Sequence, residues 1–299
     1  MKKLLFGIAI FFVLLIGALI ALPYFFKDEI IAQIKTAANE SLTATVDFKD
    51  VDISVFRNFP KLSVGLEGLQ VTNGPGPFEG VKLVQCERLD VAVDLWSAIF
   101  GSEVVVKGLY FQKPDIRVFV LSNGDANYDI TKPDPAGSTT STSAESSPIK
   151  LERYGITDGK IFYDDRGLDM RAELDGLDHT GSGEFTADLY DFVMKTAIER
   201  LSVNYGGMQY LRNARADWDA VLAADMKNMK FTFKNNDLKV NALQLNLDGW
   251  VQMPENSEDI RMDLTFGTPA NTFKSLLSII PGAYTKDYEN VQANGTVQF

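Results

Sequence analysis

The side chains best suited to chemistry are few in this 299-residue sequence and stand apart from one another. The chain has one histidine, His179, and one cysteine, Cys86. Most zinc sites use several His or Cys ligands, and a nucleophilic triad would have to use His179 as its base. We interpret His179, close to Gly181 and Gly183, as a turn or strand-end residue. Cys86 lies beside a strand-like run without a nearby base, which predicts a small structural residue and excludes an intramolecular disulfide.

Acidic side chains suggest calcium at two places. Asp164, Asp165 and Asp169 form one group, and Asp125 and Asp129 form the other. Their spacing departs from an EF-hand loop, so we interpret both groups as solvated turns. The 40 acidic residues offer many accidental pairs for glycoside chemistry, and nothing selects one. The sequence has no motif for phosphate loops, dinucleotides, zinc proteases, serine hydrolases or dithiols. We therefore expect no enzyme, no cofactor and no metal site.

The charge and the N-terminus indicate where the chain works. A formal net charge of -11 repels phosphate backbones, which argues against a nucleic-acid partner, and it disfavours broad docking on anionic headgroups. Any lipid contact should therefore be apolar. Residues 4–22 carry no charge and, at ~1.5 Å per residue, nearly cross a ~30 Å hydrocarbon core. Pro23 ends the run, and Tyr24, Phe25 and Phe26 suit the membrane interface.

A cleaved signal peptide is the alternative reading of this segment. Its apolar region usually spans about 7–15 residues and ends in a small-x-small site, and this run is longer and lacks a clean site. Residues 1–26 are therefore expected to form an uncleaved transmembrane anchor. Lys2 and Lys3 precede the span, so the positive-inside rule leaves the N-terminus in the cytoplasm. No second span of that length follows. We expect a single-pass protein of the inner (plasma) membrane, with its bulk in the periplasm of a double-membraned bacterium.

An amphipathic helix is predicted over residues 27–42, where apolar side chains recur at spacings of three, four and seven. Asp28 and Glu29 near its start suit the helix dipole. Two interpretations remain open: the helix caps a β core, or it is a lid at the mouth of an apolar groove near the membrane. The sequence alone favours the cap.

From residue 45 the apolar period changes to two, which predicts β-strands. The phase slips at Gly68, as at a bulge, and Pro114 divides residues 104–120 into two strands. Residues 96–100 predict a short helical turn. The apolar positions of this region are Leu62, Val64, Leu66, Leu69, Val71, Leu89, Val91, Val93 and Leu95.

Composition divides the rest of the chain. Residues 131–148 are rich in Pro, Ser and Thr, which predicts a flexible loop between an N-terminal module (27–130) and a second β module (149–299). A long hairpin tip within one sheet is the alternative. The second module predicts a meander of antiparallel strands with one apolar face, a turn at residues 235–237 and a short helix at 272–280. Alternation persists to Phe299, so we expect this module to continue beyond it. The fold class is mainly β: an elongated antiparallel sheet with a few short helices.

The order of these features resembles the AsmA family over nearly the whole chain. Besides the N-terminal anchor, the resemblance rests on the segments at residues 51–54, 60–64, 66–71, 88–91, 104–109, 127–129 and 273–281. Each motif alone is of modest specificity. The resemblance implies a curved, taco-like β-groove and a role in outer-membrane assembly and envelope lipid homeostasis. It supplies no catalytic residue.

Three hypotheses follow. In the first, the nine apolar residues named above line a groove that carries phospholipid, since burying an acyl chain stabilises a complex by roughly 0.8 kcal/mol per CH₂. In the second, the sheet closes over a dry core, and the protein is a structural or assembly factor that guides protein targeting to the outer membrane through envelope protein partners. In the third and most distant, the chain is an anchored hydrolase that depends on His179 or on a carboxylate pair.

Overall fold

The computed structural model describes residues 27–58, 61–100, 105–132, 149–185, 188–254, 260–268, 271–280 and 296–297. Its helices are α1 (Lys27–Ser41), α2 (Leu95–Phe100) and α3 (Phe273–Leu277). Its strands are β1 (Thr45–Asp47), β2 (Asp50–Asn58), β3 (Lys61–Glu67), β4 (Gln70–Thr72), β5 (Lys82–Gln85), β6 (Arg88–Asp94), β7 (Val106–Gln112), β8 (Asp115–Val120), β9 (Ile149–Asp165), β10 (Met170–Ser182), β11 (Leu189–Tyr205), β12 (Met208–Asp225), β13 (Lys230–Val240), β14 (Leu243–Gln252), β15 (Arg261–Gly267), β16 (Asn271–Thr272) and β17 (Thr296–Val297). Strands β1 to β15 form one sheet, which confirms the mainly β fold class.

The first eight strands can be described as four long strands, each divided in two by a bend. The pairs β1 and β2, β3 and β4, β5 and β6, and β7 and β8 are each separated by only a few residues. Strands β2, β3, β6 and β7 pair in that order, and so do β1, β4, β5 and β8. Both rows reach β9, whose first half pairs with β7 and whose second half pairs with β8. From β9 the sheet continues as a meander of long strands to β15.

The bends lie on one line across the sheet. Left-handed backbone occurs at Gly68, Lys113, Asp158, Gly176, Asn213 and Asn241, with φ of 62, 47, 51, 65, 48 and 52°. Backbone hydrogen bonds join neighbouring bends: Gly68 N–H donates to the Glu87 carbonyl (2.8 Å), and Lys113 N–H donates to the Thr157 carbonyl (2.8 Å). The pairing register also shifts beside Gly176 and between Ile198 and Leu201. Each bulge bends its strand, so the aligned bulges form a crease. The bulge predicted at Gly68 is confirmed and belongs to this crease.

The expectation of a purely antiparallel sheet is wrong. Strand β9 pairs with β7 and β8 in parallel, because the connection after Val120 returns the chain to the end of the sheet from which β7 began. A parallel pair needs such a crossover and cannot be joined by a hairpin. The alternative of a hairpin tip between β8 and β9 is therefore wrong too. Strands of both predicted modules belong to one sheet, and the division between the modules stays a prediction.

Several local predictions can be compared with the structure. The helix predicted over residues 27–42 and the strand break at Lys113–Pro114 are confirmed. Leu95 was expected to continue a strand, but β6 ends at Asp94 and Leu95 begins α2. The turn predicted at residues 235–237 is wrong because β13 runs on to Val240. There the Asn236 side chain bonds the backbone of Leu247 on β14, so a residue typical of turns supports the ladder instead.

Two predictions concern segments that the structure does not fully describe. The anchor, residues 1–26, lies outside the described residues, as does most of the loop at 131–148. Within the described part of the chain, no helix has the length and the apolar character that a membrane crossing requires. The helix predicted at 272–280 is the short α3, and of the strand predicted from 291 onward the structure describes β17 alone.

Candidate functional site

The candidate site is one face of the sheet, on which rows of mainly apolar side chains run from strand to strand. Residues paired across neighbouring strands point to the same face, so the register identifies that face. One row, on the β1 side of the crease, runs Val46, Val71, Val84, Ile116, Ile161, Leu174, Leu201 and Ala214. On the other side the rows include Val51, Leu66, Leu89, Phe111 and Ile156, and then Phe192, Leu222, Phe233, Gly249 and Leu264. We call this surface the apolar face.

The opposite face of the sheet is polar. Paired residues there include Asp52, Gly65 and Asp90 in the first strands and Lys195, Asp219 and Asp237 in the later ones. The Arg88 guanidinium binds the carboxylates of Asp52 (2.9 Å), Asp90 (2.8 Å) and Glu67 (3.2 Å). It lies directly over Gly65, where a Cβ would come within 2.0 Å of its Nη2 atom. The sheet therefore has a polar face, covered by Arg88 in the first strands and lined by exposed charges in the later ones, and an apolar face that needs a cover.

Helix α1 covers the apolar face near β1 and β2. Phe48, Val51, Leu66, Leu69, Cys86 and Leu89 form a buried cluster, and Ile31 and Ile34 of α1 pack against it. The Asn39 side chain fastens the helix, because its amide donates to the Val46 carbonyl (3.0 Å) and accepts from the Val46 N–H (2.8 Å). The Lys35 ammonium lies 2.6 Å from Asp47 and 4.9 Å from the centre of the Phe48 ring. This part of the face has the capped core that the sequence favoured.

The structure brings most of the nine candidate residues together. Cross-strand pairs join Leu62 with Val93, Val64 with Val91, and Leu66 with Leu89. Leu66, Leu69, Leu89 and Val93 are buried, whereas Leu62, Val64, Val71 and Val91 are half-buried. Leu95 lies in α2 and not in this set of strands, and its side chain lies outside the described ones. The strand residues thus share one face of the sheet, and their contact with lipid stays a prediction.

The apolar face is open over the later strands. Strands β9 to β13 pack against their neighbours in the sheet, and no described helix or second sheet packs over them. Leu177, Met194 and Ile198 are buried on this face, whereas other large side chains are only half-buried. The half-buried ones include Trp218, Leu222, Phe231, Phe233 and Leu247. At the last strand, Met262 and Phe266 are 57% and 56% exposed. The sequence analysis missed much of this surface, because β11 was not predicted and β13 was cut short.

A small polar group interrupts the apolar face. His179 Nδ1 lies 2.8 Å from Thr196 Oγ1, and His179 Nε2 lies 3.1 Å from the Tyr154 hydroxyl. Burial lowers the pKa of His179 below its ordinary value, which favours the neutral ring. A neutral ring donates from one nitrogen and accepts at the other, so it satisfies one hydroxyl in each role. His179 lies within β10, near its end, where it links the Thr196 and Tyr154 hydroxyls.

Aromatic rings surround that polar group. The Tyr154 ring stacks on Phe192 with centroids 6.2 Å apart, and Phe185 packs against Tyr154, Tyr190 and Phe192. Gly181 makes the stacking possible, because a Cβ there would come within 2.5 Å of Tyr154 and 2.9 Å of Phe192. This group lies at the end of the sheet where β9 begins and β10 ends.

The remaining candidate groups have local structural roles. Cys86 is buried, and burial raises the pKa of its thiol to about 11, so it stays protonated. Asp165 accepts from the N–H groups of Gly167 and Leu168 (2.9 Å each), which fixes the turn between β9 and β10. Asp125 and Asp129 line an open polar cavity of about 540 Å³. Among the described residues, no three His, Cys, Asp or Glu side chains converge on a point where a metal could bind.

Comparison with known proteins gives one match. The model of the AsmA family matches residues 1–271 of the chain. No curated protein and no solved structure matches it.

Proposed function

The chain belongs to the AsmA family, and from this premise we propose that it carries phospholipid along the apolar face of its sheet. Membership suggests a role in envelope and outer-membrane assembly. In this proposal the protein is a carrier and not an enzyme. It is anchored in the inner membrane by residues 1–26 and has its sheet in the periplasm.

The observation that carries the proposal is the apolar face over β9 to β13, which no described helix or second sheet covers. A sheet with one apolar face must bury it against helices, a second sheet or a ligand. Helix α1 serves the first strands, and no described element serves β9 to β13. Acyl chains would supply the missing cover, at roughly 0.8 kcal/mol for each CH₂ they bury. The contact is apolar, so it does not conflict with the net charge of -11.

Photo-crosslinking at neighbouring positions of β12 tests this proposal. Leu222 pairs with Phe192 and Phe233 on the apolar face, whereas Val221 is next in the chain and points to the polar face. Both side chains are half-buried, so they form a matched pair. A photoreactive residue at 222 should give lipid adducts in cells, and the same residue at 221 should give few or none.

One further position, compared with Leu222, separates carriage from the assembly-factor hypothesis. Leu89 lies in the cluster under α1, and we expect fewer lipid adducts there than at Leu222. If adducts at 222 contained envelope proteins and no lipid, the protein would be an assembly factor and the carriage proposal would be wrong.

A further inference from the structure

Helix α2 presents two large aromatic side chains to solvent. Trp96 is 68% exposed and Phe100 is 75% exposed, and their rings stack with centroids 5.7 Å apart and planes at 20°. The helix sequence LWSAIF carries no charge. Single exposed apolar side chains are common on protein surfaces, but Trp is enriched at membrane interfaces, and Trp and Phe are typical of the apolar side of helices that lie there.

The aromatic pair is held in place by its own helix cap. Asp94 Oδ1 accepts from the Ser97 N–H (2.8 Å), and the Ser97 hydroxyl donates to the Asp94 carbonyl (2.9 Å). Ser97 Oγ also accepts from the Val105 N–H (3.0 Å), which ties the start of α2 to the chain that leads into β7. Trp96 and Phe100 are therefore preorganised on the outside of the sheet and do not hang from a loose loop.

The position of α2 places the pair at one end of the sheet. Asp94, the last residue of β6, pairs with Lys61, the first residue of β3. Lys61 also pairs with Asn58, the last residue of β2. Helix α2 thus lies at the end of the sheet where β2 ends, beyond the last paired residues.

Helix α1 points to the same end. Asn39 contacts Val46, and Lys35, one turn earlier, contacts Asp47 and Phe48. Residues nearer the N-terminus of α1 thus contact residues nearer β2, which means that α1 runs antiparallel to β1 and the start of β2. The N-terminus of α1 therefore points towards the end of β2. The chain between Leu22 and Lys27 spans at most about 17 Å even when fully extended. The predicted membrane span is therefore tied closely to the end of α1 that points towards α2.

We propose that Trp96 and Phe100 insert into the interface of the bilayer that holds the anchor, and so fix the end of the sheet against the membrane. This inference rests on the proposed anchor and not on lipid carriage. Zwitterionic phospholipid is the expected partner, because α2 has no basic side chain and the chain is acidic overall. The aromatic group around Tyr154 lies at the same end, since Leu109 on β7 pairs with Tyr154. The contact would bring the start of the open apolar face close to the bilayer.

The three tryptophans of the chain allow a direct test, because each reports a different place. Trp96 lies on α2, Trp218 on the apolar face, and Trp250 on the polar face under the Lys230 ammonium (4.3 Å). The full chain would be placed in nanodiscs of phosphatidylcholine with brominated acyl chains, which quench nearby indoles. We expect the Trp96→Phe variant to lose about half of the quenching, and Trp250→Phe to lose little of it.

A transplanted indole provides the matched confirmation. In the Trp96→Phe background, Phe100→Trp should restore the quenching. Leu168→Trp should not restore it, because Leu168 is similarly exposed (56%) but lies in the turn at the opposite end of β9. The inference is overturned if Trp96→Phe leaves the quenching unchanged. It is also overturned if Trp96 is shielded from acrylamide without being quenched by brominated lipid, since residues 1–26 or a second copy of the chain would then cover it. A loss of quenching in the Trp218→Phe variant would report lipid on the apolar face. That variant therefore tests the carriage proposal, whereas Trp96→Phe tests the insertion of α2.

Discussion

His179 joins three strands of the sheet through one imidazole ring. It contacts Tyr154 on β9 and Thr196 on β11 while lying itself on β10. Burial is the cause that lowers its pKa in the folded state, and an unfolded chain would restore the ordinary value near 6.5. The unfolded state therefore binds the proton more readily than the folded state between these two pKa values.

Stability should consequently fall as the pH drops through the ordinary histidine range. The folded-state pKa is the lower one, so the destabilisation begins near the unfolded pKa of about 6.5 and is complete below the folded value. Urea unfolding at about pH 7.5 and pH 5.5 would measure it, with His179→Gln as the reference variant. Because His179 is the only histidine, the difference between the two proteins isolates its effect. An equal pH dependence in both proteins would contradict the account.

Carboxylates with lowered pKa values affect stability at a lower pH than His179 does. Asp47 beside Lys35 and Asp175 beside Arg200 both have pKa values below 3.8 for this reason. Their contribution to stability is present above the unfolded pKa and is lost as the pH falls through the folded values. The Asp47 side chain is 70% exposed and that of Asp175 is 35% exposed, so solvent screening keeps each contribution small.

Helix α1 depends on one side chain more than on its charges. The Asn39 amide makes two hydrogen bonds to Val46 and a third to the Lys35 carbonyl (2.7 Å). Removing it leaves the partly buried Val46 groups without partners, so Asn39→Ala should lower the free energy of unfolding by about 1–3 kcal/mol. Gln33→Ala on the exposed side of the helix is the control and should change it by less than about 0.5 kcal/mol. Denaturant titration would measure both variants.

Hydrogen exchange would locate the effect. Amide protection should fall in α1 and at Val46, and it should persist in β9 to β13, which α1 does not contact. Loss of protection across the whole sheet would mean that α1 is part of one cooperative core, contrary to this expectation.

The sequence predicted individual elements better than their assembly. Apolar alternation located β3, β6 and β14, and the spacing of Ile31 and Ile34 located α1, because these patterns reflect burial on one side. The parallel pairing of β9 depends on where a 28-residue connection (121–148) returns, and local periodicity carries no such information. β13 was cut short because Asn235, Asn236 and Asp237 are typical of turns, but here a bulge and the Asn236 side chain hold them in the ladder.

At the scale of the whole molecule, the crease and the apolar face belong together. Positive φ values recur from Gly68 to Asn213 across the sheet, so one line of bulges bends most of these strands, and the line ends at Asn241 in the turn between β13 and β14. Apolar rows remain on one face on both sides of that line. Each bulge adds one residue to its strand, and the apolar alternation in the sequence slips by one residue at the same point, so the apolar side chains stay on the same face. The nine residues singled out in the sequence cover only the first strands of this surface. Its later part was visible as alternation in β14 but could not be joined to the rest without the register.

If lipid moves along a continuous face, a block in the middle should affect only the positions beyond it. Separate pockets would not show this dependence on position. Leu222→Asp together with Phe233→Asp would place two carboxylates on a cross-strand pair in the middle of the face. Burying a charge against acyl chains is costly, so lipid should not pass this pair. Lipid adducts at Leu264 on β15 should fall by about tenfold, whereas adducts at Ile156 on β9, before the block, should persist.

The matched control moves the same two charges to the polar face. Val221→Asp with Thr232→Asp changes one residue in each of the same strands and should leave both adducts intact. Equal loss at Ile156 and Leu264 in the blocked protein would indicate misfolding if the secondary structure also changed. With the fold intact, equal loss would mean that the block empties the whole face, so that lipid on β9 depends on β12 and β13 and does not wait before the block. Persistent adducts at Leu264 would show that lipid reaches β15 without crossing β12, and the face would then act as a set of independent sites and not as a path.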